Sequence, residues 1–383
     1  MKEAPVEYPG FLGIRNVAIP RKQPHGALQS AVNVDVDDEG TVVTRPGYSQ
    51  AFSGTNVTAA YSMLAQDYAY IVDAGFLYRV SPSLATARLG PVATNLNEHW
   101  AEAGKFVFMS SGYIIDDTRL LEWRVLPPDD LQVDVIAGRL PAGQYQVTAT
   151  QDAEDGRESV TCDVLTLSLP EGAGIRINNP SGKTIYVTEA NGTVLYNAGF
   201  EVEELVDPPP YAVPLPHELL LNNPLPDQVD TVAFYDSSVY VSVFMPEHDV
   251  TNIFWSAVFR WHVFDLDRDA IQVPGEVRGM VAEAGHLFIA TDRAIYKFDG
   301  GAIQPLVDYG VPRGYPFARG PSHSNYAWTN RGVVRLDTGE NVTFEKVHLP
   351  PGSVCSTAIV EQHGIEKFIV LSDGDGVANN IAP

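Results

Sequence analysis

The chain has 383 residues, of which 45% are hydrophobic and 19% are charged, and its formal net charge is −23 at pH 7. This is the composition of a folded globular chain, because disordered segments combine fewer apolar side chains with a higher density of charge. A surface this acidic repels nucleic-acid phosphates, which excludes duplex binding driven by counterion release. It is compatible with DNA that moves past the protein without being held.

The sequence contains no run that approaches the roughly 20 apolar residues of a membrane-spanning helix, so we expect no membrane segment. Residues 1–10 are charged and contain proline, which does not fit a signal peptide. The only two cysteines, Cys162 and Cys355, lie far apart in the sequence. We therefore expect two free thiols of a reducing compartment, without a disulfide or a zinc site.

Along the chain, a short β-rich run, a tight polar turn and a second β-rich run recur, and amphipathic helical periodicity is nearly absent. In the first of these units, for example, Asp73, Ala74 and Gly75 separate Ala-Tyr-Ile-Val from Phe-Leu-Tyr-Arg-Val. The pattern predicts antiparallel hairpins over residues 69–80, 105–115, 238–255, 286–298 and 326–336, and a final one that includes 367–371.

A single hairpin cannot bury both of its faces, so neighbouring hairpins have to pack on one another. Four-stranded sheets in a radial arrangement achieve this and protect their edges. The predicted hairpins recur at roughly the 40–50 residue period of propeller blades. The sequence therefore predicts an all-β fold with a β-propeller-like domain, and an irregular sandwich or a multi-barrel protein is the alternative.

One region interrupts this rhythm between two proline runs, at Pro127–Pro128 and at 208–210. Within it, residues 144–150 alternate as a half-buried strand does, and Asp155-Gly156 is a typical hairpin turn. Several short strands in about 80 residues indicate an inserted β-sandwich of the immunoglobulin or fibronectin type III kind. We predict a propeller-like first half at 1–127, the insert at 128–207, and a propeller-like second half at 208–383.

Four short segments near the start resemble a known family. Residues 8–16 read Tyr-Pro-Gly-Phe-Leu-Gly-Ile-Arg-Asn, residues 31–35 Ala-Val-Asn-Val-Asp, residues 38–41 Asp-Glu-Gly-Thr and residues 45–48 Arg-Pro-Gly-Tyr. This opening resembles that of bacteriophage tail virion proteins, including the β-propeller tail nozzle proteins of short-tailed phages. In that family such segments form the first propeller strands.

The insert resembles the same family, because residues 140–145 and 155–159 are similar to the sandwich domain often inserted in such proteins. The resemblance implies a structural virion protein of the tail, made in the host cytoplasm, that forms part of the genome-delivery channel as a nozzle, tail-tip or tail-completion component. It also implies other tail proteins as partners, a ring-shaped homo-oligomer, and DNA that passes without specific binding. The chain is shorter than nozzle proteins of this group, which leaves its position along the tail open.

Three segments partly match sequence motifs of metal-binding or acid-catalysing sites. His217-Glu218 begins a zinc-protease motif, but Leu221 stands where the second histidine is required. Residues 265–269 place three aspartates at alternating positions, and residues 373–376 resemble a calcium loop without its final glutamate. We interpret these two segments as a solvated loop or strand edge and a glycine-bearing turn, and we predict neither metal nor cofactor.

Trp255, Trp261 and Trp328 lie in strand-like segments. Tryptophans in a propeller are usually core residues, but exposed ones could stack on sugars. A host-receptor adhesin that binds carbohydrate is therefore the alternative function, with these three residues as its contacts. The sequence has no Gly-x-Ser-x-Gly elbow and no phosphate-binding loop, so we predict that the protein is not an enzyme. A propeller glycosidase is the third possibility, since propellers support many chemistries.

Overall fold

A computed structural model describes residues 26–28, 34–36, 41–44, 50, 52–63, 67–93, 97–267, 270–319, 325–344, 346, 351–362 and 365–373. Within them the chain forms many short β-strands and one helix of five residues. The all-β prediction is confirmed. In the part of the chain so described, no helix has the length and apolar character needed to cross a membrane.

The first ten strands form a two-stranded ladder and two four-stranded meanders. They are β1 Val34–Val36, β2 Val42–Thr44, β3 Val57–Ser62, β4 Ala69–Asp73, β5 Phe76–Val80, β6 Thr86–Pro91, β7 Trp100–Ala103, β8 Phe106–Met109, β9 Tyr113–Asp116 and β10 Arg119–Glu122. Strands β3 to β6 form the first sheet and β7 to β10 the second, with neighbours in chain order. The predicted turn after Asp73 is confirmed, with φ of 49° at Ala74 and 81° at Gly75, as a primed hairpin turn requires.

The next seven strands form two antiparallel sheets, which we call the two-sheet unit (residues 133–205). They are β11 Val133–Leu140, β12 Gly143–Gln151, β13 Leu165–Leu169, β14 Ala173–Ile177, β15 Lys183–Thr188, β16 Leu195–Phe200 and β17 Glu204–Leu205. The sheet orders are β11-β14-β17 and β13-β12-β15-β16. One hydrophobic cluster, which includes Tyr145, Ile175 and Ile185, contains buried residues of both sheets.

The connectivity of this unit differs from that of an immunoglobulin domain. In that fold the first two strands lie in the same sheet, whereas β11 and β12 lie in different sheets here. These strands fall inside the range 128–207 that the sequence predicts for an insert. The bounds of the three predicted domains remain predictions.

Helix α1 and sixteen further strands follow, and these strands form four further sheets. They are α1 His217–Leu221, β18 Asn223–Pro224, β19 Thr231–Tyr235, β20 Ser238–Met245, β21 Val250–Ala257, β22 Arg260–Phe264, β23 Ile271–Pro274, β24 Val277–Glu283, β25 His286–Thr291, β26 Ile295–Phe298, β27 Ile303–Val307, β28 Arg313–Tyr315, β29 Phe317–Arg319, β30 Asn325–Thr329, β31 Gly332–Arg335, β32 Val354–Gln362 and β33 Ile365–Ser372. The third sheet contains β18 to β23, the fourth β24 to β27, the fifth β29 to β31, and the sixth β28, β32 and β33. Strand β28 pairs with β32 in parallel.

Successive sheets pack face to face through side chains that alternate along each strand. In β8, Val107 and Met109 belong to a cluster shared by the first and second sheets, whereas Phe108 belongs to one shared by the second and third. Further clusters join the third sheet to the fourth, the fourth to the fifth and the fifth to the sixth. This succession of small sheets, the inner ones buried on both faces, makes the fold β-propeller-like.

Four other predicted hairpins are also confirmed, because antiparallel strands pair across the turns predicted at 110–112, 246–249, 291–293 and 329–332. The strand predicted at 367–371 lies in β33, which pairs with the preceding strand β32. The turn predicted to follow it at 372–374 is not confirmed, because Ser372 still belongs to β33 and residue 374 lies outside the described residues. The family-like segments 8–16 and 45–48 lie outside the described residues. So do residues 31–33 and 38–40, and the described strands β1 and β2 pair antiparallel.

The two-sheet unit is joined to the second and third sheets by the segment around Arg157. The Arg157 guanidinium donates to the carbonyls of Trp123 at 2.8 Å and Glu122 at 2.5 Å, and pairs with the Asp155 carboxylate at 2.5 Å. Nε2 of His262, in the third sheet, lies 2.8 Å from the Glu158 carbonyl oxygen. These contacts hold the two-sheet unit against the end of β10 in the second sheet and against β22 in the third sheet.

Candidate functional site

Strands β3 and β7 bring an aromatic and acidic group together. Residues 100–103 read Trp-Ala-Glu-Ala, so Trp100 and Glu102 share one face of β7, and the two alanines face the third sheet. The Tyr61 hydroxyl donates to Glu102 Oε2 at 3.2 Å, and its ring stacks on Trp100 with centroids 5.6 Å apart and planes 9° apart. Burial, reinforced by the Glu102 carboxylate, raises the pKa of the Tyr61 hydroxyl, which stays protonated as a donor.

Tyr315 joins this pair from a distant part of the chain. Nε1 of Trp100 donates to the Tyr315 hydroxyl at 3.2 Å, and that hydroxyl donates to the carbonyl of Glu98. Tyr315 belongs to β28, which is a strand of the sixth sheet. The second sheet and β28 are therefore joined by the hydrogen bonds of the Tyr315 hydroxyl.

Glu98 and His99 lie directly beside these aromatic residues. The Glu98 residue is 1% exposed, and its Oε1 accepts hydrogen bonds from Ser110 Oγ at 3.1 Å and the Ser111 amide at 2.9 Å. Burial raises the pKa of this carboxyl group. The His99 ring lies 5.7 Å from the Tyr315 ring, and burial lowers its pKa to about 4.

A second acidic group extends the site toward the fourth and fifth sheets. Arg319 pairs with Asn325 across the β29–β30 ladder. Burial raises the pKa of both Tyr61 and Glu283, and the positive charge of Arg319 opposes each rise only in part. We call Tyr61, Glu98, His99, Trp100, Glu102, Glu283, Tyr315, Arg319 and Asn325 together the polar cluster.

The polar cluster contains both hydrogen-bonded groups and groups without a partner. Among the described residues, Glu98 Oε2, Glu283 Oε2 and both side-chain amide atoms of Asn325 are buried and have no hydrogen-bond partner. The Glu98 and Glu102 carboxylates accept hydrogen bonds from neighbouring side chains, and the aromatic hydroxyl and indole groups donate within the cluster. Among the described residues, no three His, Cys, Asp or Glu side chains group closely enough to hold a metal ion. The arrangement supports a rigid connection between sheets.

The depressed pKa of His99 predicts a specific dependence of stability on pH. The folded-state pKa of about 4 lies below the ordinary 6.5, so the stabilisation from the neutral ring is present above pH 6.5 and is lost as the pH falls through 4. We expect urea denaturation to show a smaller fall in unfolding free energy from pH 6.5 to 4 for His99→Gln than for the wild type. Equal falls in both proteins would contradict the assignment.

The three tryptophans predicted as carbohydrate contacts lie in different places and do not form one surface. Trp328 is 2% exposed, and its Nε1 donates to the Pro351 carbonyl at 3.0 Å. Trp255 is half-buried and stacks on Tyr240 with centroids 5.6 Å apart. Trp261 is half-buried against the cluster between the second and third sheets. Their packing is that of core residues, and carbohydrate contact stays a prediction for Trp255 and Trp261.

The motifs singled out for metal or acid chemistry serve local structure where the chain is described. Residues 217–221 form helix α1, and Leu219 is buried. Asp265 and Asp267 follow the end of β22, and the Asp267 amide donates to Asp265 Oδ1 at 3.3 Å, while residues 268 and 269 lie outside the described residues. The Asp373 carboxylate accepts hydrogen bonds from the amides of Ser353 and Val354, and residues 374–376 also lie outside.

Both cysteines are buried and unbonded to each other, Cys162 in the two-sheet unit and Cys355 in β32. Burial is the main cause that raises the pKa of the Cys355 thiol, to about 12. The thiol is therefore protonated at neutral pH and is a poor nucleophile.

Sequence reasoning missed most of the polar cluster. The alternation at 100–103 could have placed Trp100 and Glu102 on one face, but no local signal connects Trp100 with a tyrosine 215 residues away. Trp123 was also missed, although it is fully buried and its Nε1 donates to the Trp261 carbonyl at 2.7 Å.

No protein-family model matches the sequence, and no curated protein matches it either. Solved structures that match the chain include Kuenenia stuttgartiensis hydrazine synthase, at 11% identity over 88% of this chain and 99% of that chain, with a TM-score of 0.37. Others are Kluyveromyces lactis Hsv2, at 7% identity over 86% and 98% with a TM-score of 0.35, and Saccharomyces cerevisiae Sqt1, at 9% over 86% and 96% with 0.31. These similarities carry no inference about activity.

Proposed function

We propose that this protein is a structural component of a phage tail, present in the virion as several copies in a ring around the genome path. The observation that carries the proposal is the net charge of −23. A channel wall rich in carboxylates repels the DNA backbone, so the genome can pass without being retained. The neighbours in the assembly would be other tail proteins.

Side-chain contacts between sheets favour a ring of several copies over a path through one copy. Trp100 contacts both Tyr61 and Tyr315, and so joins the first, second and sixth sheets. A duplex, whose major groove alone is about 12 Å wide, cannot pass between side chains in such contact. The genome path would therefore lie between copies, and the propeller-like body would act as a rigid wall element.

We also propose that residues 128–207 are an inserted sandwich domain related to the immunoglobulin and fibronectin type III architecture, with altered connectivity. The Tyr145 hydroxyl donates to the Pro141 carbonyl four residues upstream at 2.9 Å. This bond resembles the tyrosine corner of such domains. Limited proteolysis of the full chain is expected to cut first near residues 127–132 and 207–214, and first cuts inside β12 or β15 would contradict the assignment.

The structural proposal predicts two results for the purified full chain. Electrophoretic mobility shift with duplex DNA at 150 mM salt is expected to show no complex at micromolar protein, because the acidic surface opposes counterion release. Mass photometry is expected to show a discrete oligomer. Tight DNA binding, or a monomer both in solution and in a map of the virion, would overturn the proposal.

A second candidate function, a propeller hydrolase, is favoured by one observation. The polar cluster contains two carboxyl groups from different sheets, Glu102 and Glu283, and glycosidases use two carboxyl groups. Hydrolysis of a panel of aryl glycosides that is lost in both Glu102→Gln and Glu283→Gln would support this candidate. Absence of activity across the panel favours the structural role.

A further inference from the structure

Strand β13 forms a free edge of the two-sheet unit. Its sheet has the order β13-β12-β15-β16, so β13 pairs with β12 on one side. Along β13, Thr166 and Ser168 are exposed, whereas Leu165 and Leu167 are half-buried against the core of the unit. These two leucines are covered only in part, because no described strand continues the sheet beyond β13.

The main chain of β13 offers hydrogen-bonding groups at this edge. The Gln146 amide of β12 donates to a side-chain hydroxyl of β15 at 3.0 Å, away from β13. Peptide groups alternate in direction along an antiparallel strand, so Tyr145 faces β13 and pairs with Leu167. The N–H and C=O groups of Thr166 and Ser168 therefore point away from β12, toward the free edge.

The other edges of the two-sheet unit are protected against pairing with a further strand. Strand β16 is covered by residues 213–215, which form main-chain hydrogen bonds with Asn197 and Leu195. Strand β11 contains Asp134 and Arg139 and a register shift against β14, and β17 has only two residues. Charges, irregular register and short length keep an edge from pairing with a foreign strand. In contrast, β13 reads Leu-Thr-Leu-Ser-Leu, without charge or proline, and its register with β12 is regular.

We propose that β13 is the docking edge for an extended, basic segment of another protein, which adds a strand to this sheet. The main chain of the partner would bond to the outward groups of Thr166 and Ser168. Apolar side chains at alternate positions of the partner would cover Leu165 and Leu167, which extends the core of the unit. The inference concerns the two-sheet unit alone and goes beyond the proposed ring.

The charge of the two-sheet unit favours a basic partner. Asp163 and Glu171 are exposed and lie just beyond the two ends of β13. The unit contains eleven acidic and four basic residues. All four basic side chains already have acceptors within the chain, and they are Arg139, Arg157, Arg176 and Lys183. Lysine or arginine at both ends of the partner strand would pair with the two carboxylates that flank β13.

A second copy of the same strand fits this edge less well. In a two-fold pairing that aligns leucine with leucine, Asp163 of one copy lies opposite Glu171 of the other. Like charges directly opposite each other are unfavourable, and two chains of charge −23 repel each other. A basic strand has neither disadvantage.

The first test mixes the full chain with two synthetic peptides, Lys-Val-Thr-Val-Thr-Val-Lys and Glu-Val-Thr-Val-Thr-Val-Glu. In titrations up to about 1 mM, we expect the Lys-flanked peptide to bind about tenfold more tightly than the Glu-flanked one. Hydrogen exchange is expected to slow at the amides of Thr166 and Ser168 when the Lys-flanked peptide binds. Equal affinities of the two peptides, or no added protection at these amides, would overturn the proposal.

The second test uses variants of the full chain. Thr166→Pro removes the outward N–H and leaves the ladder with β12 intact, so we expect an unchanged thermal midpoint and about tenfold weaker binding of the Lys-flanked peptide. Thr166→Val is the matched control, because it keeps the N–H and is expected to bind as the wild type does. Equal binding by the two variants would refute the edge as the docking site.

A charge-reversed protein tests the chemistry of the partner without any change of the main chain. The double variant Asp163→Lys and Glu171→Lys is expected to prefer the Glu-flanked peptide, and an unchanged preference would refute a basic partner. An oligomer of the wild type that dissociates in Thr166→Pro without any peptide would show that a second copy covers this edge, which also refutes the proposal.

Discussion

Replacement of Trp123 by alanine is expected to lower the free energy of unfolding by about 3–5 kcal/mol. The side chain is fully buried, and its ring contacts Phe108 at 5.1 Å and Phe264 at 6.1 Å between centroids. Trp123 is therefore part of the core between the second and the third sheet. These two sheets precede and follow the two-sheet unit in the sequence. Alanine would leave a cavity at this junction and remove the donor to the Trp261 carbonyl.

Chemical denaturation at neutral pH measures this loss. Trp123→Phe is the matched control, because it keeps an aromatic ring and removes only the indole donor and part of the volume, so we expect a loss of about 1–2 kcal/mol. An alanine variant that loses less than about 1 kcal/mol would show that the second and third sheets do not share this core.

The second large effect is expected for Arg157→Ala, at about 2–4 kcal/mol. The guanidinium satisfies the carbonyls of Glu122 and Trp123 at the end of the second sheet, and it pairs with an Asp155 side chain that is 10% exposed. Alanine leaves those acceptors and the carboxylate without their donor. We also expect faster proteolysis between the second sheet and the two-sheet unit, because this contact fixes their arrangement.

Arg176→Ala provides the control for a surface ion pair. Its side chain is 50% exposed and that of its partner Glu204 is 44% exposed, and exposed pairs contribute about 0–1 kcal/mol. Equal losses for Arg157→Ala and Arg176→Ala, with unchanged proteolysis in both, would contradict the connecting role of Arg157.

The hairpins could be predicted from the sequence because their signals are local. Ala74 and Gly75, for example, form a two-residue turn between alternating apolar runs, and the turn type follows from those residues. The β-propeller-like succession followed from the spacing of such hairpins. The connectivity of the two-sheet unit could not be predicted, because β11 pairs with β14 across two intervening strands and no local signal selects that partner.

The polar cluster was out of reach for a similar reason. Its members come from β3, the start of the second sheet at residues 98–102, β24, β28, β29 and β30, so only the packing of distant sheets brings them together. The turn between β21 and β22 illustrates a different limit. Its sequence contains no glycine, and only the backbone conformation shows that Phe259 occupies a position suited to glycine. The tryptophans marked from sequence were visible as large aromatic residues, but their burial depended on neighbouring sheets.

The most direct test of the structural role is an electron cryo-microscopy map of the virion that contains this chain. The account predicts several copies in a closed ring in the tail, with acidic surfaces toward the genome path and that path running between copies. A map in which the genome passes through a single copy, or in which the tail contains no such ring, would contradict it.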